Sequence, residues 1–406
     1  MSKKRKMRIS FSPPDITESE IQAVAEVLRS GWLTRGPKTK LLEEKTAKFL
    51  QTEKVVCLNS QTSCAEMTLR LADIGEGDEV ITTAYTYTAT ASVIEHVGAK
   101  IILADTQKDC LEMDYDLLES LINEKTKAII PVDLAGIPCD YDRIIKISKS
   151  AESKFRANSF IQEAIGRPII IADSAHAFGS LFHGKPLGSF ADFTSFSWHA
   201  VKNFTTGEGG ALTWRPLSGI TSEDIHERLH LLSLHGQDKT SLEKVSEGSW
   251  EYDILGTWYK CNMTDIAAAI GLAQLPRYKG MLERRRHAIE VYDRAFKPMG
   301  LRLLEHFTAN YESCGHLYMT WVLGITLQQR DKIISEMFER GVPCNVHYKP
   351  LPMHTAYKKL GFRIEDFPNA YANFINEISL PLHSKLTDEE ISYVIDTYKD
   401  VLKPYI

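Results

Sequence analysis

Apolar positions along the first half of the chain fall into short runs separated by longer stretches of helical spacing. Val55–Leu58, Val80–Thr82, Ile101–Ala104, Ala128–Val132 and Ile169–Ala172 are brief and rich in β-branched residues, as buried strands are. A helical pattern follows each run, starting near Thr62 after the first and near Thr88 after the second. Such alternation requires crossover connections and therefore predicts an α/β fold with a largely parallel sheet. Ahead of it, Thr17-Glu18-Ser19-Glu20 has the form of a capping box. It predicts a helix with Ile21, Val24, Ala25 and Leu28 on its apolar face and a stop at Gly31. A long helical stretch runs from Thr264 towards Phe296. Beyond it the pattern predicts strands at Met319–Ile325 and Val342–Val346, a helix over Asp331–Arg340 and a closing helix after Leu386-Thr387-Asp388-Glu389-Glu390. The polar stretch from Ser150 to Ile165 reads as a surface elaboration without chemistry.

At 406 residues the chain exceeds one ordinary core. Two domains are expected: 1–263, with an N-terminal arm, and 264–406, a bridging helix and a smaller C-terminal unit. A net charge of −5 argues against a nucleic-acid partner. The basic start Lys3-Lys4-Arg5-Lys6 reads as a solvated tail, not a targeting signal. No apolar run approaches the roughly 20 residues of a membrane helix, so no membrane partner is expected. Seven scattered cysteines without a Cys-x-x-Cys pair fit reduced thiols in a cytoplasm.

The candidate chemistry lies just after the strands, where α/β sheets bind ligands. Lys202 follows an apolar run ending at Ser197 and precedes the turn Gly207-Glu208-Gly209-Gly210. A lysine amine there suits a Schiff base with an aldehyde cofactor such as pyridoxal 5'-phosphate. Asp173 closes the run Ile169-Ile170-Ile171-Ala172-Asp173; its carboxylate would keep a pyridine nitrogen protonated, although helix capping is the plainer role. His176, placed one helical turn on from Asp173, would reach the cofactor's phenolic oxygen. Asn59-Ser60-Gln61-Thr62-Ser63 opens a helix and could cradle a phosphate, with Ser197 offering a further hydroxyl and Tyr87 a ring to stack. Gly31-Trp32-Leu33-Thr34-Arg35-Gly36-Pro37 nearly spells a P-loop, but Pro37 stands at the lysine position and a helix precedes it. No metal is expected, on the reading that the thirteen histidines lack metal-site spacing.

Taken together these segments resemble the DegT/StrS-type sugar-nucleotide aminotransferases, within the fold-type-I pyridoxal-phosphate enzymes. The resemblance runs nearly end to end: Ser30 to Pro37, Asn59 to Thr62, Thr86 to Thr90, Asp173 to Ala177, Ser197 to Gly210, Tyr259 to Ala269, His347 to Leu351 and Ser379 to His383. It implies a large three-layer αβα domain plus a smaller C-terminal α/β domain. It implies that Lys202 forms the Schiff base and shuttles protons, Asp173 pairs with the pyridine nitrogen, His176 contacts the phenolic oxygen and Tyr87 stacks on the ring. Ser60, Gln61, Thr62 and Ser197 would hold the phosphate, although Gln61 stands where the family usually has glycine. Lys260 and Asn262 would reach the partner's phosphate, so a homodimer with shared active sites is implied; His347 and Tyr348 would lie near the sugar. The implied reaction moves an amino group from glutamate to a nucleotide-linked keto sugar, with C4 suggested by the Lys260-Cys261-Asn262 form. Alternatives on the same scaffold are a sugar dehydratase, which Lys202 argues against, a cyclitol aminotransferase and a non-catalytic regulator.

Overall fold

The computed structural model describes residues 7–239 and 251–406, so the basic segment Lys3–Lys6 lies outside the described residues. Short buried strands assemble, in spatial order β1-β9-β8-β5-β4-β2-β3, into a seven-stranded sheet. These strands are β1 (Val55–Leu58), β2 (Glu79–Thr83), β3 (Lys100–Ala104), β4 (Thr126–Ile130), β5 (Ile169–Asp173), β8 (Phe193–Ser197) and β9 (Gly210–Trp214). The short β6 (Leu181–Phe182) and β7 (Lys185–Pro186) form a separate sheet with β11 (Tyr311–Glu312). Within the sheet β9 alone is reversed: it pairs antiparallel with β1 and β8, and every other pairing is parallel. All five residues of β2, β4, β5 and β9 are buried. Helices cover both faces, which is why these strands read as continuous apolar runs rather than alternating ones.

The helices obey their local signals, with one exception in packing. Helix α1 (Glu18–Ser30) carries the capping box, Glu20 Oε2 accepting from Thr17 N at 2.7 Å, and ends at Gly31 with φ of 73°. Its buried positions are Glu20 and Val27, whereas Ile21 and Leu28 are exposed and Val24 and Ala25 half-buried. The expected apolar face is thus rotated, because Glu20 is drawn inward by Arg277 Nε at 2.9 Å. Helix α2 (Pro37–Leu50) begins inside the P-loop look-alike. The amides of Gly36, Lys38 and Thr39 donate to the Asp265 carboxylate at 2.8, 3.0 and 2.9 Å, so this helix start already holds an internal anion. Helix α3 (Gln61–Leu71) starts one residue earlier than expected, with Ser60 as its N-cap. Helix α4 (Thr88–His96) starts as expected, and α5 (Tyr115–Leu121) and α6 (Tyr141–Ser150) follow β3 and β4. Within the polar stretch from Ser150, α7 (Phe160–Ile165) forms, and Phe155 and Ile161 are buried.

After α8 (Ser222–Ser233), the long helical stretch is broken in two at Leu275–Arg277: α9 (Asp265–Gln274) ends there and α10 (Tyr278–Phe296) begins. Pro276 has no amide hydrogen to continue the ladder. Beyond it, β12 (Tyr318–Trp321) lies between β10 (Arg302–Leu303) and β13 (Glu377–Leu380) in an antiparallel sheet. It packs with α11 (Leu327–Glu339) and the closing helix α14 (Asp388–Leu402) around Tyr292, Tyr318, Val322, Ile378 and Tyr398, with the short α12 (Thr355–Lys359) and α13 (Pro368–Ile375) between them in sequence. Two expectations are corrected. The strand at Met319–Ile325 is shorter and starts one residue earlier. Val342–Val346 forms no strand and makes one bridge, Asn345 to Ser379. The edge strand β13, which pairs with β12, was not expected, because Glu377 and Ser379 interrupt the apolar pattern by which strands are recognised.

One buried carboxylate fixes the two strands that carry the candidate chemistry. Asp192, fully buried just before β8, accepts from both Arg167 Nη atoms at 2.8 and 2.9 Å and from Ile170 N of β5 at 2.8 Å. Arg215 Nη2 approaches it at 2.7 Å. Asp192→Ala leaves Arg167 buried without its charge partner and is expected to cost about 3–5 kcal/mol. Thermal unfolding checks this: the midpoint falls, and an unchanged midpoint contradicts it.

Candidate active site

The sheet registers gather the chemistry. Asp173 at the end of β5 pairs with Ser195 of β8; Ser197 at the end of β8 pairs with Gly210; Gly210 also pairs with Leu58, two residues before Ser60. Four chain segments distant in sequence therefore meet at one edge. Gly210 must be glycine there, since a Cβ would stand 2.5 Å from Gln61 N. The resulting cavity, about 340 Å³, is lined by Ser60, Gln61, Thr62, Tyr87, Asp173, His176, Ser197, Lys202 and Tyr348, among others. Nine of the twelve residues expected from the sequence thus come together.

Lys202 is half-buried and its amine is desolvated, which pulls its pKa from 10.5 to about 8; Asp173 and Cys314 oppose the shift. Asp173 is buried, and burial raises its pKa against hydrogen bonds that favour the charged form. Those bonds come from Thr90 Oγ1 at 2.6 Å and from Ala175 N at 3.1 Å. No helix follows Asp173, so its plainer capping role is absent; His176 is reached by a turn, not by a helical turn. His176 Nδ1 accepts from Ala135 N at 3.3 Å, so Nε2 carries the proton and donates to Tyr348 Oη at 3.2 Å. Burial and the neighbouring Lys202 hold this imidazole neutral.

Ser60 Oγ accepts from Ser63 N at 3.1 Å and so caps α3. The Gln61 side chain turns inward, donating to Ser195 Oγ at 3.0 Å, which leaves its backbone as the part available to the cavity. Tyr87 stands exposed at the mouth with its ring 5.9 Å from that of Tyr348.

Three expected residues do not line the cavity. His347 is turned away: Nδ1 lies 2.8 Å from Ser379 Oγ and its amide donates to Glu377 Oε2 at 2.8 Å. Lys260 and Asn262 lie behind the turn at Ser60, where Asn262 bridges Leu58 and Asn59 N donates to Cys261 O at 2.8 Å. Sequence reasoning missed Thr90, which orients Asp173, and His316, whose ring lies 4.2 Å from that of His176. Thr90 was visible inside the Thr86–Thr90 motif; His316 has no sequence signal.

A desolvated lysine, a buried carboxylate and a capped helix start in one cavity have the chemistry that suits an enzyme holding an aldehyde cofactor. The comparisons with known proteins agree. The chain belongs to the DegT/DnrJ/EryC1/StrS aminotransferase family, whose sequence profile matches residues 14–399. The putative sugar aminotransferase Spr1654 of Streptococcus pneumoniae has apo-, PMP- and PLP-form structures. Its PLP form is 53% identical, superposes with a TM-score of 0.95 and covers 98% of this chain and 100% of its own. Helicobacter pylori PseC, an aminotransferase involved in pseudoaminic acid biosynthesis, is 29% identical with a TM-score of 0.85, over 98% of this chain and 100% of its own. The spore coat polysaccharide biosynthesis protein SpsC of Bacillus subtilis is 33% identical over 99% of each chain. The chain is thus a transaminase of the pyridoxal-phosphate-dependent kind, and the residues in the cavity fit that cofactor.

Because the folded-state pKa of Lys202 is depressed, its neutral, reactive amine is present above about 8 and is lost as pH falls through that value. Capture of added pyridoxal phosphate by cofactor-free protein is expected to rise through about 8, not 10.5. Asp173→Asn removes a charge that favours the ammonium form and moves the midpoint lower. A wild-type midpoint near that of free lysine contradicts this reading.

Proposed function

We propose that this enzyme transfers an amino group from glutamate to the C4 carbon of a keto sugar linked to a nucleoside diphosphate, as a cytoplasmic homodimer with shared sites. The observation that carries the reading is the meeting of Lys202, Asp173 and the α3 start in one cavity. Bound pyridoxal phosphate supplies an electron sink that makes the donor's α-hydrogen acidic. Lys202 Nζ, poised near neutral pH, holds the proton taken from the donor's α-carbon and, in the second half-reaction, delivers one to the sugar carbon. Asp173 balances positive charge on the pyridine nitrogen in a water-poor setting. With the cofactor bound, His176 Nε2 would turn its proton from Tyr348 Oη to the ring oxygen, and Tyr87 would close one face. Ser60, Thr62, Ser197 and the Gln61 backbone hold the phosphate. Tyr348 at the mouth faces the sugar, and His347 acts behind it by fixing that segment through Ser379 and Glu377.

Polysaccharide and sugar-acid roles of the relatives support a nucleotide-linked sugar as acceptor. Exposed apolar residues near the cavity, Tyr87 and Val201, support a partner subunit over the mouth. Lys260 and Asn262, directed away from their own cavity, would complete the partner's phosphate site. The free cysteines support a reducing compartment, and no described helix is long and apolar enough to cross a membrane.

Adding glutamate to the pyridoxal-phosphate-loaded protein is expected to replace its long-wavelength absorbance band with a shorter-wavelength one, and NMR of the product is expected to place nitrogen on C4. A spectrum indifferent to glutamate overturns the donor; nitrogen at another carbon overturns the position. Lys202→Ala is expected to lower turnover by at least roughly 10²–10⁴-fold, the worth of positioned acid–base transfer. Shared sites are tested by mixing: Lys202→Ala and Asn262→Ala proteins are each impaired alone but recover activity when their subunits exchange. Failure to recover in verified mixed dimers contradicts shared sites.

A further inference from the structure

The histidine spacing discounted above is present in the sequence: His226-Glu227-Arg228-Leu229-His230 sets two imidazoles one helical turn apart on α8. The fold brings Glu43 of α2 to face them, well outside the cavity of Lys202. His226 Nε2 and His230 Nε2 lie 3.1 Å apart, and Glu43 Oε2 lies 3.7 and 3.8 Å from them. A point equidistant from these three atoms is about 2.1 Å from each, the bond length zinc takes to nitrogen and carboxylate oxygen.

We infer that Glu43, His226 and His230 form a binding site for a transition-metal ion of the zinc class, joining α8 to α2. Two imidazoles and one carboxylate suit such an ion and disfavour calcium or magnesium. The ligands are held in place from behind. Glu43 is buried, and its other oxygen accepts from Cys57 N at 2.9 Å, which aims Oε2 at the histidines. Glu223 Oε1 stands 3.9 Å from His226 Nδ1, on the outer side of that ring.

Arg35 is the competitor. Its Nη2 lies 2.8 Å from His230 Nε2 and 3.8 Å from Glu43 Oε2, so a guanidinium now occupies the cation's approach. It fits this place incompletely, because its buried Nε has no hydrogen-bond partner. Arg35 lines an open groove of about 920 Å³, into which its side chain can withdraw. Metal uptake therefore exchanges one cation for another, and the position left free by the three ligands faces the groove and takes water.

Titration calorimetry of cofactor-loaded protein with zinc(II) tests the site. One equivalent is expected to bind, and zinc is expected to raise the thermal unfolding midpoint. His226→Ala and His230→Ala are expected to lose that equivalent, weakening it by more than the roughly 10–100-fold that outer partners contribute, and to lose the thermal shift. Their transaminase turnover stays at the wild-type level, which separates this site from the reaction. Arg35→Gln is expected to bind zinc more tightly. No uptake by the wild type, unaltered uptake by the histidine variants, or no gain in Arg35→Gln overturns the inference.

Discussion

The parallel pairing of β5 with β8 is the constraint on which the active site depends. It sets Asp173 beside Ser195 and so delivers the loop holding Lys202 to the same edge. Neither residue could find the other by local folding, since the intervening chain is too long for a turn. Asp192 fixes the opposite end of the pair by accepting from Ile170 N and from Arg167 at once. A charge pair buried on both sides costs desolvation, and its value here lies in fixing register. A one-residue slip would send Asp173 to the other face of the sheet.

Burial then sets the chemistry. Desolvation pushes Lys202 down to about 8 and holds His176, and His316 behind it, neutral. The same cause acts on His347, taken to about 3, and raises the nearby Glu377 to about 8. The imidazoles in and behind the wall are therefore neutral, and the charged groups that line the cavity are Lys202 and the carboxylates of Asp173 and Glu208. A cationic ring nitrogen and an anionic phosphate would bring the principal remaining charges, and each meets a complementary group: Asp173 for the first, the α3 start for the second.

Much of this was legible in the chain, for physical reasons. The strands of the central sheet are buried on both faces, so they read as unbroken apolar runs, and the residues at or just after their ends supplied eight of the nine expected groups that line the cavity, Tyr348 being the ninth. Capping boxes at Thr17 and Thr387 marked helix starts because their side chains bond locally. What stayed hidden depends on distant partners. Asp265 caps α2 across more than two hundred residues, and Gln61 finds Ser195 only after β1 and β8 join the same sheet. The rotated face of α1 depends on Arg277 reaching Glu20. His347 bears a motif that resembles a sugar-site segment, yet Ser379 and Glu377 of β13 hold its side chain behind the wall.

The central claim is that a single amine, that of Lys202, holds the cofactor opposite Asp173. Borohydride reduction of protein loaded with pyridoxal phosphate, followed by proteolysis and mass mapping, tests this directly. The account predicts one modified peptide, spanning Ser197 to Gly210, with the added mass on Lys202. A label on another lysine, or spread over surface lysines without preference for Lys202, would contradict it.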